Sequence, residues 1–173
     1  MVTDKKSFMK AALGSHKDVL SAPAAIVPFA DWDYYYIRDT IEWHAKAGVA
    51  MTPAHVIVPI GFVTDLASIP AALWGMLPPA ARYSYPAIIH DYLYWFQPCT
   101  RAEADAVFQS VMGDLLVPSA KITIIYDAVR LGGGSAWDSN AQARARGENR
   151  ILKKFPTDVL ITWDQWKVRA DVY

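Results

Sequence analysis

The stretch Pro86-Ala-Ile-Ile-His-Asp-Tyr-Leu-Tyr-Trp95, followed across Phe96-Gln-Pro-Cys99 by Thr100-Arg-Ala-Glu-Ala-Asp-Ala-Val-Phe108, decides the fold. In its first half, Ile88, Ile89, Tyr92, Leu93 and Trp95 describe a buried helix that ends by Pro98, where the ring removes an N–H and blocks the next turn. In its second half, Thr100-Arg-Ala-Glu103 matches a capping box, so another helix starts at Arg101 and runs through Ala104, Val107, Phe108 and Met112. The turn between them is short and proline-bound, which predicts neighbouring antiparallel helices over 86–97 and 101–115.

Working outward, Tyr34-Tyr-Tyr-Ile-Arg-Asp-Thr-Ile-Glu-Trp43 and His55-Val-Ile-Val-Pro59 are rich in β-branched and aromatic residues with partial alternation. They predict two or three antiparallel strands in a small meander. Ser68 caps a short helix with Pro70 in its first turn and Leu73, Trp74 and Leu77 behind, which Pro78-Pro79 ends. Downstream, Ile122, Ile125, Tyr126 and Val129 recur at helical spacing over 119–131, and Gly132-Gly-Gly134 reads as the stop. Val159-Leu-Ile-Thr-Trp163 and Trp166 return as a strand or a docked segment. Residues 1–30, with a short amphipathic stretch around Phe8, Met9, Ala12 and Leu13, read as an appendage. The expected architecture is α+β: one domain in which a small antiparallel β meander packs on three to four helices. Its core spans 31–137, between the N-terminal appendage 1–30 and a C-terminal extension 138–173.

Ionisable groups are rarely buried without a partner, so His90 and Asp91 in an apolar helix require one. Asp105 follows on the second helix and Asp65 precedes in Gly61-Phe-Val-Thr-Asp-Leu-Ala-Ser-Ile-Pro70. In an antiparallel pair, His90 and Asp105 lie eight and five residues from the turn, about 12 and 8 Å along the axes, so a contact is feasible. Asp105 would then hold one ring nitrogen and the other could deprotonate water. Tyr94, four residues after His90, is within reach of the same group. Asp91 points about 100° away round the helix and, with Asp65, offers the oxygen donors that calcium or magnesium prefers. The same residues also have a structural reading: a satisfied core histidine, Asp65 holding its loop, and Asp105 paired with Arg101.

The composition bounds the alternatives. With 173 residues, 53% apolar and 13% aromatic, the chain suits one buried core. Seventeen acidic residues balance seventeen basic ones and the pI is near 6.9, so no overall charge draws a nucleic acid. Cys99 is the only cysteine, which excludes an intrachain disulfide and a multi-cysteine zinc site. Lys10, His16, Lys17 and Asp18 interrupt any signal-peptide core, and no apolar run reaches the ~20 residues of a membrane span.

The ordered set Val58-Pro-Ile-Gly-Phe-Val-Thr-Asp-Leu-Ala-Ser-Ile-Pro70, His90-Asp-Tyr-Leu-Tyr94, Arg101-Ala-Glu-Ala-Asp105 and Tyr126-Asp-Ala-Val-Arg-Leu-Gly132 resembles an uncharacterised family of tailed bacteriophages and prophages, over about residues 33–137. That resemblance implies a phage or prophage origin, placement in the host cytoplasm or the virion, and no established activity. His90-Asp91 with Tyr94 and the later Asp105 is also similar to calcium-dependent phospholipases. That likeness implies His90 as base, Asp91 as calcium ligand, and Tyr94 and Asp105 as supports of the histidine. The glycine-rich calcium loop and the disulfides of the secreted enzymes are missing. Two functions follow as expectations. One is a hydrolase, metal-assisted by calcium or magnesium, acting on an ester or amide of the bacterial envelope. The other is a non-enzymatic phage accessory or virion protein that binds a phage or host protein. The residues assign no oligomeric state.

Overall fold

The computed structural model describes residues 26–66 and 84–173. The helix expected from Ser68 and the amphipathic stretch near Phe8 lie outside the described residues. Strands β1 (Ile26–Pro28), β2 (Tyr35–Ile37) and β5 (Val63–Thr64) form an antiparallel sheet in the order β1-β2-β5. Between β2 and β5, strands β3 (Ile41–His44) and β4 (His55–Val58) form a separate hairpin in which Ile41 faces Val58 and His44 faces His55. Alternation explains the hairpin: Ile41, Trp43, Val56 and Val58 are buried while His44, His55 and Ile57 are exposed. Among the described residues, the expected meander is therefore two small sheets with five strands.

Helices α1 (Ser84–Phe96) and α2 (Arg101–Asp114) are the expected pair. Pro86 falls in the first turn of α1, where its missing N–H costs nothing. The Thr100–Glu103 capping box is formed reciprocally at the start of α2. Helix α3 (Ser119–Ala145) corrects the sequence reading, for it runs straight through Gly132-Gly-Gly134. Glycine costs helix stability without forbidding it, and here tertiary contacts beyond the glycines outweigh that cost. Trp137 packs edge-on against Tyr94 at 5.0 Å, and Arg144 donates to the Phe96 carbonyl at 3.0 Å and to the Gln97 side chain at 2.8 Å. Among the described residues, no helix is long and apolar enough to cross a membrane.

The extension after α3 docks on the sheet. Ile151 bridges Phe62, and Val63 donates to the Arg150 carbonyl at 2.8 Å. Gly61, at φ +86°, makes this approach possible, since a Cβ there would run into the Leu152 carbonyl. Val159–Leu160 forms no strand; Trp163 opens a one-turn helix, α4 (Trp163–Lys167), capped by Thr162. Two apolar clusters result. The larger joins the hairpin to α1–α3, and the smaller holds Phe29, Tyr36 and Val63 against Leu152, Trp163, Trp166 and Val172.

Candidate functional site

Because α1 and α2 are antiparallel, His90 and Asp105 meet: His90 Nε2 lies 2.9 Å from Asp105 Oδ1. The Tyr94 hydroxyl donates to the same oxygen at 2.7 Å, one helical turn along α1. The other oxygen, Oδ2, accepts from Arg130 of α3 at 2.9 Å and more distantly from Arg101 at 3.5 Å. One carboxylate, 0% exposed, thus gathers donors from three helices. The imidazole lies between two rings, with centroids 4.1 Å from Tyr94 and 4.5 Å from Phe108.

Electrostatics follow from burial and from these donors. Burial holds His90 below the ordinary histidine value, against the raising effect of Asp105, so the ring is neutral near pH 7. Burial alone would raise Asp105, but hydrogen bonds from His90, Tyr94 and Arg130 outweigh it and keep the carboxylate ionised below its ordinary value. Burial first, and then the bond to Asp105, pushes Tyr94 far up, so its hydroxyl remains a donor. An ionised Asp105 beside a neutral ring assigns the Nε2 proton to the shared bond.

A cavity of about 330 Å³ opens beside the dyad, faced by Asp65, His90, Asp91, Tyr94, Asn140 and Arg150. Its α3 wall is cut from small residues, Gly132, Gly133 and Ala136, which leave room next to Tyr94. At Gly133 a Cβ would collide with the Tyr94 hydroxyl and come within 3.3 Å of its Cζ. Asp91 turns away from Asp105 as its helical phase requires, and accepts the Thr64 hydroxyl on Oδ2. The structure thus brings Asp65, His90, Asp91 and Tyr94 to one cavity, with Asp105 directly behind the imidazole. Cys99 is ruled out as a nucleophile at neutral pH, because burial, then the charges of Glu103 and Asp105, push its thiol up to about 11.

Sequence reasoning missed Arg130, Arg150, Thr64 and Asn140. A signal existed for Arg130: a buried Asp105 already hydrogen-bonded to histidine still needs a cation, and Tyr126-Asp-Ala-Val-Arg130 offers one on an otherwise apolar face. Arg150 gave no such signal, because it reaches the cavity only when the extension folds back. Its guanidinium lies 4.3 Å over the Trp95 ring and 5.4 Å from that of Tyr34. The reading also passed over Glu42, His44 and His55. Among the described residues these alone form a group of three metal-ligand side chains, and it includes neither Asp65 nor Asp91.

No curated protein and no solved structure matches the chain. A family model described as a protein of unknown function, DUF1353, matches residues 35–129. That span starts at β2 and carries Asp65, His90, Asp91, Tyr94 and Asp105, but stops one residue short of Arg130 and well before Arg150. Since the match takes in more than half of the 173 residues, the chain belongs to the DUF1353 family.

Proposed function

We propose that this protein is a hydrolase in which His90 is the general base. The observation that carries the reading is that a neutral imidazole, fixed through Nε2 by Asp105, forms a wall of a polar cavity large enough for the reacting part of a substrate. Nδ1 takes a proton from water, and the hydroxide adds to an ester or amide carbonyl. The tetrahedral intermediate then expels the alcohol or amine, which leaves with the proton from Nδ1. Asp105 and Tyr94 keep the ring in its tautomer and orientation. Arg150 places positive charge on the cavity wall, and Asp91 with Asp65 offers hard oxygen ligands for calcium or magnesium. An ester or amide of the bacterial envelope is the proposed substrate class, in keeping with the phospholipase likeness of His90-Asp91, Tyr94 and Asp105 and with the phage or prophage setting that the ordered motifs imply.

A second reading, a non-enzymatic phage accessory or virion protein, is favoured by one observation. Asp105 is fully enclosed and joins α1, α2 and α3, so the cluster also serves as a polar tie between helices. His90→Gln separates the two, since the Gln amide can still donate to Asp105 and cannot act as a base. Turnover of lipid and peptidoglycan substrates should fall by about 10²–10⁴-fold in the variant. In the wild type it should decline only as pH falls through the folded value of His90, which burial holds below the ordinary 6.5. Calorimetry with calcium should show a heat that Asp91→Asn abolishes. A wild-type protein without turnover establishes the scaffold reading instead, and a variant that keeps turnover removes His90 as the base.

A further inference from the structure

On the outer face of the β3–β4 hairpin, far in sequence from the α1–α2 dyad, three side chains converge without any role in the cavity. Glu42 and His44 are two residues apart on β3 and so share a face, while His55 stands directly opposite His44 on β4. The two imidazoles stack with centroids 3.9 Å apart and planes 12° from parallel. Both direct Nε2 at one carboxylate oxygen, Glu42 Oε1, at 3.0 Å from His44 and 2.7 Å from His55.

We propose that Glu42, His44 and His55 form a binding site for a divalent transition-metal ion of the zinc class. Two imidazole nitrogens and one carboxylate oxygen are the donor set that zinc takes, whereas calcium and magnesium favour oxygen alone. The geometry is close to what the ion needs. In a tetrahedron with metal–ligand bonds of about 2.0–2.1 Å, neighbouring donors lie about 3.3 Å apart, a few tenths of an ångström beyond the present Nε2–Oε1 separations. Side-chain rotation alone can open that gap.

The backbone under the site is fixed by its other face. Trp43 and Val56 are buried, and the Trp43 indole donates to Asp114 at the end of α2 at 3.0 Å. The three ligand side chains are themselves about 37–49% exposed. An ion reaches them from solvent and keeps an outward position for water, which is the form of an open three-ligand site. The ion would cross-link the two strands, and would do so whether or not the cavity beside His90 is catalytic.

The test is calorimetry of the untagged full chain with zinc, beside cobalt absorption spectroscopy, in which histidine-coordinated tetrahedral cobalt gives visible ligand-field bands. One ion per chain is expected, with a raised melting temperature. His44→Gln, His55→Gln and Glu42→Gln should each weaken binding by more than the roughly 10–100-fold that loss of an outer-shell partner costs. His16→Gln, His90→Gln and Asp91→Asn should leave binding unchanged. The substituted side chains are exposed, and circular dichroism of each variant checks that its fold is kept. Absence of zinc binding and of cobalt bands in the wild type would overturn the assignment, as would binding that survives both histidine substitutions or is lost in Asp91→Asn.

Discussion

At the scale of single residues, Asp105 and its partners contribute unequally. The carboxylate is 0% exposed, while the Arg130 side chain is 36% exposed and can return to water when the pair is broken. Asp105→Asn removes the charge that both arginines face and leaves the His90 and Tyr94 donors poorly matched, for a cost of about 3 kcal/mol, the low end for breaking a buried pair. Arg130→Met leaves the enclosed carboxylate with the more distant Arg101 and should cost less, about 1–2 kcal/mol. Urea unfolding of the two variants gives the comparison, and equal losses would show that the pair, and not the enclosed carboxylate, is what matters. A pH signature accompanies it. The folded-state value of His90 is depressed, so its contribution is present above the ordinary 6.5 and is lost as pH falls through the lower folded value. As pH falls from about 7 towards that lower folded value the unfolded chain gains a proton that the folded chain does not, and unfolding free energy should decline. His90→Gln should flatten that slope.

At the scale of elements, the helices were legible where local chemistry decides and illegible where distant contacts do. Pro98, the Thr100–Glu103 capping box and the apolar spacing fix α1 and α2 from within about 25 residues, and the His90–Asp105 contact follows from their antiparallel turn. The length of α3 does not follow from local signals. Gly132-Gly-Gly134 looks like a stop, and only Trp137 and Arg144, docking on α1, reveal why the helix continues. The three glycines are not equivalent either. A Cβ on Gly134 meets nothing within 4 Å, so Gly134→Ala should stabilise the protein by about 1 kcal/mol through helix propensity. Gly133→Ala gains the same propensity but drives a methyl into Tyr94, whose hydroxyl is bonded to Asp105 and whose ring is held by Trp137. Thermal unfolding should therefore move in opposite directions for these neighbouring substitutions. Two increases of equal size would mean that α3 does not press on Tyr94 as described.

At the scale of the whole molecule, the extension completes the body of the protein. The division at Trp137 suggested by the family-like motifs cuts through α3, and the second apolar cluster takes Leu152, Trp163, Trp166 and Val172 from beyond it. Sequence could not expose this, since Val159, Leu160 and Ile161 look like the buried run, yet Val159 and Leu160 are 86% and 78% exposed and the two tryptophans carry the packing. Loss of a buried tryptophan costs about 3–5 kcal/mol, against a total stability of about 5–15 kcal/mol for a domain. A chain ending at Trp137 would lose both tryptophans, the Arg144 bonds to the end of α1 and the Arg150 backbone pairing with Val63. It should show no cooperative thermal transition. Trp163→Ala in the full chain should cost about 3–5 kcal/mol, whereas Leu160→Ala should stay within about 0.5 kcal/mol, as at other exposed positions. A shortened chain that unfolds cooperatively near the full-length midpoint would instead make 31–137 an independent unit, with β2 and β5 stable without the Ile151 edge that now covers Phe62.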